Sequence, residues 1–281
     1  KLKQVTKQYG KATVLKNITL SIDEPGIYCL LGRNGAGKTT LLKSIAGYQN
    51  ITRGTIEVDD KLITTSTLDT GVSYIENFAK HFNLPVRKLL QIASEVNPNY
   101  DYDFASEMME RFELDGKKKF NHLSLGMKTM VSTIICLASN KSVVLLDEPV
   151  LGFAAIMRVE FYDMLIESFR KHPRIIIVST HIIEEIAKTI HKLIIIDKGS
   201  VRFFDTLQSV ETKAFSISGL QKDVEAATQN LNVIGQDTVG GLVTTYIFDN
   251  PPEQTASFET HPLSLQDFFI QMVGHKGGGA R

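Results

Sequence analysis

The sequence predicts an α/β fold built on a parallel sheet, and three features of the chain indicate it. Within residues 142–197, three short apolar runs alternate with two stretches of helical periodicity, the pattern of βαβ units with right-handed crossovers. Upstream, the apolar run 27–31 is followed by a glycine-rich loop and a helical stretch at 39–46. The 281 residues are enough for one large or two modest domains with an apolar core. We therefore expect the strand at 27–31 to share one sheet with the three later runs.

Two further parts of the chain have their own character. In residues 78–140, apolar side chains recur at steps of three and four, which predicts a helical insert. After residue 211 the pattern changes to two strand-like runs and two helical runs, a small α+β unit. The domain prediction is a main domain at 1–210 with its helical part at about 78–140, an accessory region at 211–274, and a flexible tail at 275–281 that contains GGG.

The glycine-rich loop at 32–39 reads GRNGAGKT and matches the phosphate-binding pattern GxxxxGK[ST]. Glycines allow backbone angles and close approaches that a Cβ would block, so successive N–H groups can point at phosphate oxygens beside a helix N-terminus. Lys38 would reach the β- and γ-phosphates, and the Thr39 hydroxyl would hold Mg²⁺. An ordinary glycine turn is the alternative, and the flanking strand and helix disfavour it. The predicted phosphate-binding residues are Asn34, Gly35, Gly37, Lys38, Thr39 and Thr40.

A second motif ends the apolar run that begins after Ser142, where the chain reads SVVLLDEP. A nucleoside triphosphatase needs two carboxylates at such a strand end, one for the metal and one for the attacking water. We expect Asp147 to hold Mg²⁺ and Glu148 to polarise the water. A buried strand ending in a solvated acidic turn is the alternative, which the upstream phosphate loop makes less favourable.

The bulk composition excludes several classes of function. The 31 basic and 31 acidic residues cancel, and the one basic run, at 117–119, is typical of a solvated loop, so we expect no nucleic-acid partner. Cys29 and Cys136 stand in apolar surroundings and fit reduced core residues of a cytosolic protein. The longest apolar runs are too short to cross a bilayer and fit central parallel strands.

The family resemblance rests on residues 123–128, which read LSLGMK between the two motifs. Alone, Ser124 is a common N-cap for a helix starting near Met127. In this order the chain resembles the ATP-binding-cassette (ABC) family, whose signature is most often LSGGQ, and this variant looks like those of bacterial exporters related to bacitracin and daunorubicin resistance. Leu125 and Met127 depart from the commonest form. The resemblance implies a RecA-like P-loop NTPase core with an N-terminal antiparallel β subdomain, a helical insert and a small C-terminal α+β appendage.

Three more positions extend the resemblance. Tyr9 matches the aromatic residue that stacks on adenine in ABC proteins. His181 matches the histidine that contacts the γ-phosphate, although a histidine at a strand end is more often structural. Glu76 lies where the family usually has a glutamine that couples ATP to the transporter, in a segment that looks one residue short. The resemblance thus adds His181 to Lys38 and Glu148 as catalytic residues, and adds Tyr9, Glu76, Ser124 and Gly126 to the ATP site.

The mechanism that the resemblance implies needs two subunits, because each motif occurs once and one subunit's signature closes on ATP bound to another. It predicts a head-to-tail dimer, identical or mixed, that holds two ATP with Mg²⁺ and drives a separate transmembrane permease from the cytoplasmic face of the membrane. The substrates would be hydrophobic or antimicrobial-type peptides or drugs. Ala154 replaces an expected aspartate that braces the two subunits, so efficient turnover is in question. A soluble ABC ATPase of translation, repair or assembly and a low-turnover regulatory subunit are the alternatives.

Overall fold

The computed structural model of the protein describes residues 1–76, 82–252 and 258–274. The first half of the chain forms β1 (Leu2–Tyr9), β2 (Ala12–Leu20), β3 (Gly26–Leu31), α1 (Lys38–Ile45), β4 (Arg53–Val58), β5 (Lys61–Leu62), β6 (Val72–Glu76), α2 (Val86–Val96), α3 (Tyr102–Arg111) and α4 (Leu125–Ala138). The second half forms β7 (Val143–Asp147), α5 (Ala155–Lys171), β8 (Ile175–Ser179), α6 (Ile183–Ile186), β9 (Lys192–Asp197), β10 (Ser200–Thr206), α7 (Leu207–Lys213), β11 (Ala214–Leu220), α8 (Gln221–Thr228), β12 (Val233–Val239), β13 (Leu242–Phe248), β14 (Glu259–Pro262) and α9 (Leu265–Gly274).

The central sheet has the strand order β10-β9-β3-β8-β7-β6, and every neighbouring pair is parallel except β10 with β9. All residues of β3 and β7 are buried, because a parallel sheet is covered on both faces. Alternate residues of β7 therefore enter two different cores. Val144 and Leu146 pack in the core that contains α4 and α5, while Leu145 packs in the one that contains α1. The predicted α/β fold class is confirmed.

The N-terminal strands form a separate antiparallel sheet in the order β2-β1-β4-β5. Its apolar side chains, including Val5, Leu15 and Ile56, share the core that contains α1. The sheet thus packs beside the loop between β3 and α1, and it is the N-terminal antiparallel β subdomain that the resemblance implied.

The helical insert consists of α2, α3 and α4 with a short 3₁₀ turn at Phe120–His122. Phe104 and Met108 are fully buried one turn apart on α3, as the steps of three and four predict. The predicted start of the insert, at about residue 78, lies outside the described residues. No helix in the described ranges is both long and apolar enough to cross a membrane.

The C-terminal strands form a third, antiparallel sheet in the order β12-β13-β11-β14, with α8 against one face. The sequence predicted only two of these strands, because β12 (VIGQDTV) and β14 (ETHP) are polar and mostly exposed. Helix α9 joins this sheet to the central one, since Phe268 lies 5.0 Å from the ring of Phe203 on β10 and 5.4 Å from that of Phe248 on β13. The expected tail at 275–281 lies outside the described residues, and the division into domains stays a prediction.

Candidate functional site

The loop between β3 and α1 has a backbone that requires glycine. Gly35 and Gly37 have φ values of +80° and +108°, a region that side chains disfavour. A Cβ on Gly37 would lie 2.9 Å from Leu15 Cδ2, and one on Gly32 would lie 2.5 Å from the Ile196 carbonyl oxygen. Gly37 is also the N-cap of α1 and provides no side-chain cap. The first N–H groups of this helix are therefore available to an anion.

Lys38 is buried and folds back over the same loop. Its Nζ donates a hydrogen bond to the Gly32 carbonyl oxygen at 2.6 Å. The ammonium group thus lies over the glycine-rich loop with donors left for another acceptor, because –NH₃⁺ has three. This is where the sequence predicted a phosphate-binding lysine.

An open cleft of about 440 Å³ lies between this loop and the end of β7. It brings together the phosphate-loop residues and both predicted carboxylates. Its lining is Val14, Arg33, Asn34, Gly35, Ala36, Gly37, Lys38, Thr39, Thr40, Asp147 and Glu148. The sequence analysis did not anticipate Val14 and Arg33, which reach the cleft from the neighbouring β2 strand and from the loop itself.

Asp147 and Glu148 differ in their surroundings. Asp147 is almost fully buried, and its Oδ1 accepts a hydrogen bond of 2.5 Å from the Ser179 hydroxyl. Glu148 has a positive φ of 51°, and its backbone N–H lies 3.1 Å from both the carbonyl and hydroxyl oxygens of Ser179. Ser179 therefore orients both acidic residues. The sequence analysis missed it, although it ends the strand beside β7 in register with Asp147.

His181 lies two residues beyond Ser179 and contacts Glu148. Its Nδ1 is 2.8 Å from Glu148 Oε2, and 57% of the side chain is exposed. The ring is therefore held by the carboxylate on one side and open to a ligand on the other. The structure brings His181 and Glu148 together, a contact that the sequence did not predict.

Glu76 ends β6 directly beside Asp147 in the strand register. Its Oε2 forms an ion pair of 2.6 Å with Lys43 Nζ on α1. Glu76 is not among the residues that line the 440 Å³ cleft. The role of Glu76 in the ATP site therefore stays a prediction, and the sequence gave no indication of its lysine partner.

Tyr9 lies at the end of β1, outside the lining of that cleft. Its hydroxyl donates to Gln49 Oε1 at 2.5 Å, and Lys7 Nζ lies 4.8 Å from its ring centroid. The ring is 49% exposed, so one face is accessible to a planar ligand.

Ser124 and Gly126 also lie away from the cleft, at the start of α4. The Met127 N–H donates to Ser124 Oγ at 3.3 Å, so Ser124 is the N-cap. The helix begins at Leu125, two residues before the expected start near Met127, because residues 125 and 126 form its first turn. A Cβ on Gly126 would lie 3.5 Å from the Gly152 carbonyl oxygen, so this segment packs on the loop that follows β7.

The same loop leads to Ala154, the N-cap of α5, which provides no side-chain hydrogen bond. Arg158 holds the loop instead. One guanidinium nitrogen donates to the Phe153 carbonyl at 2.9 Å, and Nε lies 2.7 and 3.0 Å from the two carboxylate oxygens of Glu185. Glu185 lies on α6, just after His181. Arg158 therefore ties the loop after Glu148 to the segment after His181.

The fold and the cleft together define a P-loop ATPase of the cassette type. Comparison with solved structures agrees on the fold. The "Structure of ATP binding subunit of ABC transporter" superposes with a TM-score of 0.67 at 24% identity, covering 75% of this chain and 90% of that one. The "Dimeric structure of a post-hydrolysis state of the ATP-binding cassette MJ0796 bound to ADP and Pi" gives 0.64 at 22% identity, covering 73% and 97%.

Sequence comparison gives the family. Residues 15–151 match the family model described as "ABC transporter". The "ABC transporter ATP-binding protein YtrB" of Bacillus subtilis is 26% identical over 98% of both chains. The "Bacitracin transport ATP-binding protein BcrA" of Bacillus licheniformis is 27% identical over 98% of this chain and 97% of the relative. The "Lantibiotic transport ATP-binding protein SrtF" of Streptococcus pyogenes is 29% identical over 66% and 81%.

The chain therefore carries the ATPase domain of the ABC transporter family, and it is an ATPase. The resemblance drawn from the sequence motifs is confirmed at this level. The roles of individual residues remain the predictions made above.

Proposed function

We propose that this chain is the ATP-hydrolysing subunit of a membrane exporter. The main support is the cleft, which brings together Lys38, Thr39, Asp147 and Glu148. His181 contacts Glu148 through a side-chain interaction of 2.8 Å. The cleft joins a cradle of backbone N–H groups to two carboxylates, which is what binding and hydrolysis of a nucleoside triphosphate require.

The cleft also fits Mg²⁺. Thr39 and Asp147 supply a hydroxyl and a carboxylate oxygen, which are the ligands that Mg²⁺ prefers, and Ser179 holds the carboxylate in place. Bound there, the cation would neutralise charge on the phosphates. Asn34, Gly35, Gly37, Lys38 and Thr40 would bind the phosphate oxygens.

Glu148 and His181 would then act as a pair on the water and the γ-phosphate. The Glu148 carboxylate contacts the histidine, and it would accept a proton from the attacking water while the histidine binds the γ-phosphate. Tyr9 supports the adenine ring through its exposed face. Glu76, at the end of the neighbouring strand, would couple ATP binding at the site to the membrane subunit through the segment that follows it.

A second subunit would complete each site. Ser124 and Gly126 lie outside the cleft of their own chain, although a signature of this kind acts on ATP. Large apolar side chains are exposed around them, including Leu125, Leu151 and Ile156. Such a surface favours a protein partner. We therefore assign Ser124 and Gly126 to the ATP held by the other subunit of a head-to-tail dimer.

A separate groove of about 530 Å³ supports a membrane partner. It lies between the end of α1, the segment before β6 and the helical insert, and three of its lining side chains, Tyr48, Leu68 and Val96, are exposed and apolar. A helix of a permease subunit fits such a groove. This partner would hold the chain at the cytoplasmic face of the membrane.

The substrate class is drawn from the relatives. BcrA of Bacillus licheniformis, named for bacitracin transport, matches across the C-terminal region as well as the cassette. We therefore assign export of hydrophobic or antimicrobial-type peptides. Relatives named for sulfonate import and bicarbonate transport align with 73% and 70% of this chain.

The test uses the full chain and Glu148→Gln. The variant should bind Mg·ATP, hydrolyse it at least ~100-fold more slowly because the water loses its base, and elute as a dimer only with ATP. Glu160→Gln on the surface of α5 is the matched control and should behave as wild type. Full ATPase activity in Glu148→Gln would refute the assignment. Capture of ribosomes or DNA, in place of a membrane protein, would favour the soluble alternative.

A further inference from the structure

Tyr74 on β6 carries a buried hydroxyl that the mechanism above does not use. The hydroxyl has no partner at the usual hydrogen-bond distance and angles among the described residues, although, besides burial, an interaction with the Asp147 carboxylate raises the pKa of Tyr74. A buried polar group without a partner costs free energy, so such a group in a native fold calls for a physical reason.

The strand register places this side chain next to the metal-holding carboxylate. Tyr74 pairs with Leu145 and Glu76 pairs with Asp147, so Tyr74 is the diagonal neighbour of Asp147. Residues two apart on a strand point to the same face, and diagonal neighbours about 7–8 Å apart are within reach of an aromatic side chain. Tyr74 therefore extends along the sheet toward Asp147 on the face that α1 covers.

Electrostatics agree with this placement. Burial raises the pKa of Tyr74 well above its usual value, and the negative charges of Asp147 and Glu76 raise it further. A phenol has one O–H to donate, and a carboxylate oxygen can accept it. Glu76 is already paired with Lys43, whereas the Asp147 carboxylate has acceptor capacity beyond the hydrogen bond from Ser179.

The ring of Tyr74 is held from its other side by Tyr48. The two ring centroids lie 5.3 Å apart with the planes at 89°, the edge-to-face arrangement that aromatic pairs favour. Tyr48 follows α1 and lines the 530 Å³ groove. Tyr48 thus lies between the groove and the ring of Tyr74.

We propose that Tyr74 is a positioning residue for Asp147: its hydroxyl and that of Ser179 are the two donors that fix the carboxylate for Mg²⁺, and Tyr48 holds the ring in place. The proposal rests on the proposed function. The Tyr74 hydroxyl would donate to the carboxylate while Asp147 holds the cation, since hydrogen bonds at such sites tighten on binding. Outer partners of this kind set the affinity of a metal site.

The test compares Tyr74→Phe with Tyr100→Phe in the full chain. Tyr100 also has a buried hydroxyl without a hydrogen bond, but it lies between α2 and α3. Mn²⁺ binding in the presence of a non-hydrolysable ATP analogue is followed by electron paramagnetic resonance, and affinity for the analogue in EDTA is measured separately. We expect Tyr74→Phe to weaken Mn²⁺ binding by about tenfold with unchanged metal-free affinity, and Tyr100→Phe to change neither.

Wild-type Mn²⁺ affinity in Tyr74→Phe, or an equal loss in EDTA, would overturn the proposal, because the second result is that of a structural role. Tyr48→Ala should weaken Mn²⁺ binding alone and add nothing to Tyr74→Phe, and additive losses would refute the part assigned to Tyr48. A wild-type chain that binds the analogue in EDTA but never Mn²⁺ would instead refute the proposed function.

Discussion

Replacing Ala154 by asparagine or aspartate should stabilise the protein by capping α5. Ala154 has φ −66° and ψ 157°, and the Arg158 N–H already donates to its carbonyl at 3.1 Å, so its backbone has the N-cap conformation. Ser124 caps α4 with φ −63° and ψ 164°, and its hydroxyl accepts from Met127 three residues on. The φ and ψ angles of Ala154 match those of Ser124 within a few degrees. A short polar side chain there can therefore accept from the Met157 N–H.

The expected magnitude follows from the cap alone. Exchanging alanine for a capping residue at such a site is worth about 1 kcal/mol of unfolding free energy, and in a chain of this size that is about 2 °C in Tm. Aspartate should exceed asparagine by about 0.5 kcal/mol, because its charge also meets the positive end of the helix. This difference should shrink in high salt, whereas the gain of asparagine should not.

The measurement is urea unfolding of wild type, Ala154→Asn, Ala154→Asp and Ala154→Gly. Glycine lacks a side-chain acceptor but is a better N-cap than alanine, so Ala154→Gly should recover part of the gain and stay a few tenths of a kcal/mol below the polar variants. A denaturation midpoint for both polar variants at or below that of wild type, with unchanged m-value, would refute the capping argument. Increased ATPase activity in Ala154→Asp but not Ala154→Asn would indicate that the carboxylate acts on the partner subunit as well.

Two further predictions concern buried and half-buried charges. Burial acts to raise the pKa of Asp101, but hydrogen bonds from the Lys171 ammonium and the Phe104 N–H outweigh it, so the pKa is lowered from 3.8. The stability that Asp101 contributes is therefore present above its unfolded pKa and lost as the pH falls through its folded pKa. Asp101→Asn, which keeps the cap, should lower the unfolding free energy by about 0.5–1 kcal/mol at pH 7 and by less at pH 3. An equal loss at both pH values would contradict the pairing. Arg174 is buried, and its guanidinium donates to carbonyls near the ends of two helices, including that of Ser168 at 3.2 Å. Arg174→Met should lower the free energy of urea unfolding by about 3 kcal/mol, because it leaves these acceptors unpaired. A loss below about 1 kcal/mol would show that water replaces the guanidinium.

The sequence predicted strands β3, β7, β8 and β9 of the central sheet, the phosphate loop and the acidic pair because their signals are local, whereas β6 and β10 were not assigned to this sheet. The loop at 32–39 needs glycine for its backbone conformation, and the glycines can be read directly from the sequence. The acidic pair at 147–148 directly ends an apolar run. The parallel order of the strands then brings these ends to one edge without further information. Helix periodicity in the insert was equally explicit, since its apolar face is buried.

Long-range partners were not predictable in this way. Lys43 and Glu76 lie 33 positions apart, and neither residue type indicates which opposite charge it will meet. Ser179 resembled any other strand residue until its neighbour in the sheet was known to be Asp147. The polar strands β12 and β14 were missed because they carry no apolar alternation, and their hydrogen bonds to β13 and β11 decide their conformation.

The aromatic contact of α9 has a consequence for how the chain unfolds. Phe268 closes an apolar cluster with one ring from the central sheet and another from the C-terminal sheet, and it is fully buried between them. Neither sheet can lose this side chain without exposing an aromatic ring of its own. The cassette and the C-terminal sheet should therefore unfold cooperatively, because this cluster stabilises both. A mutation that destabilises one of them should lower the melting temperature of the other.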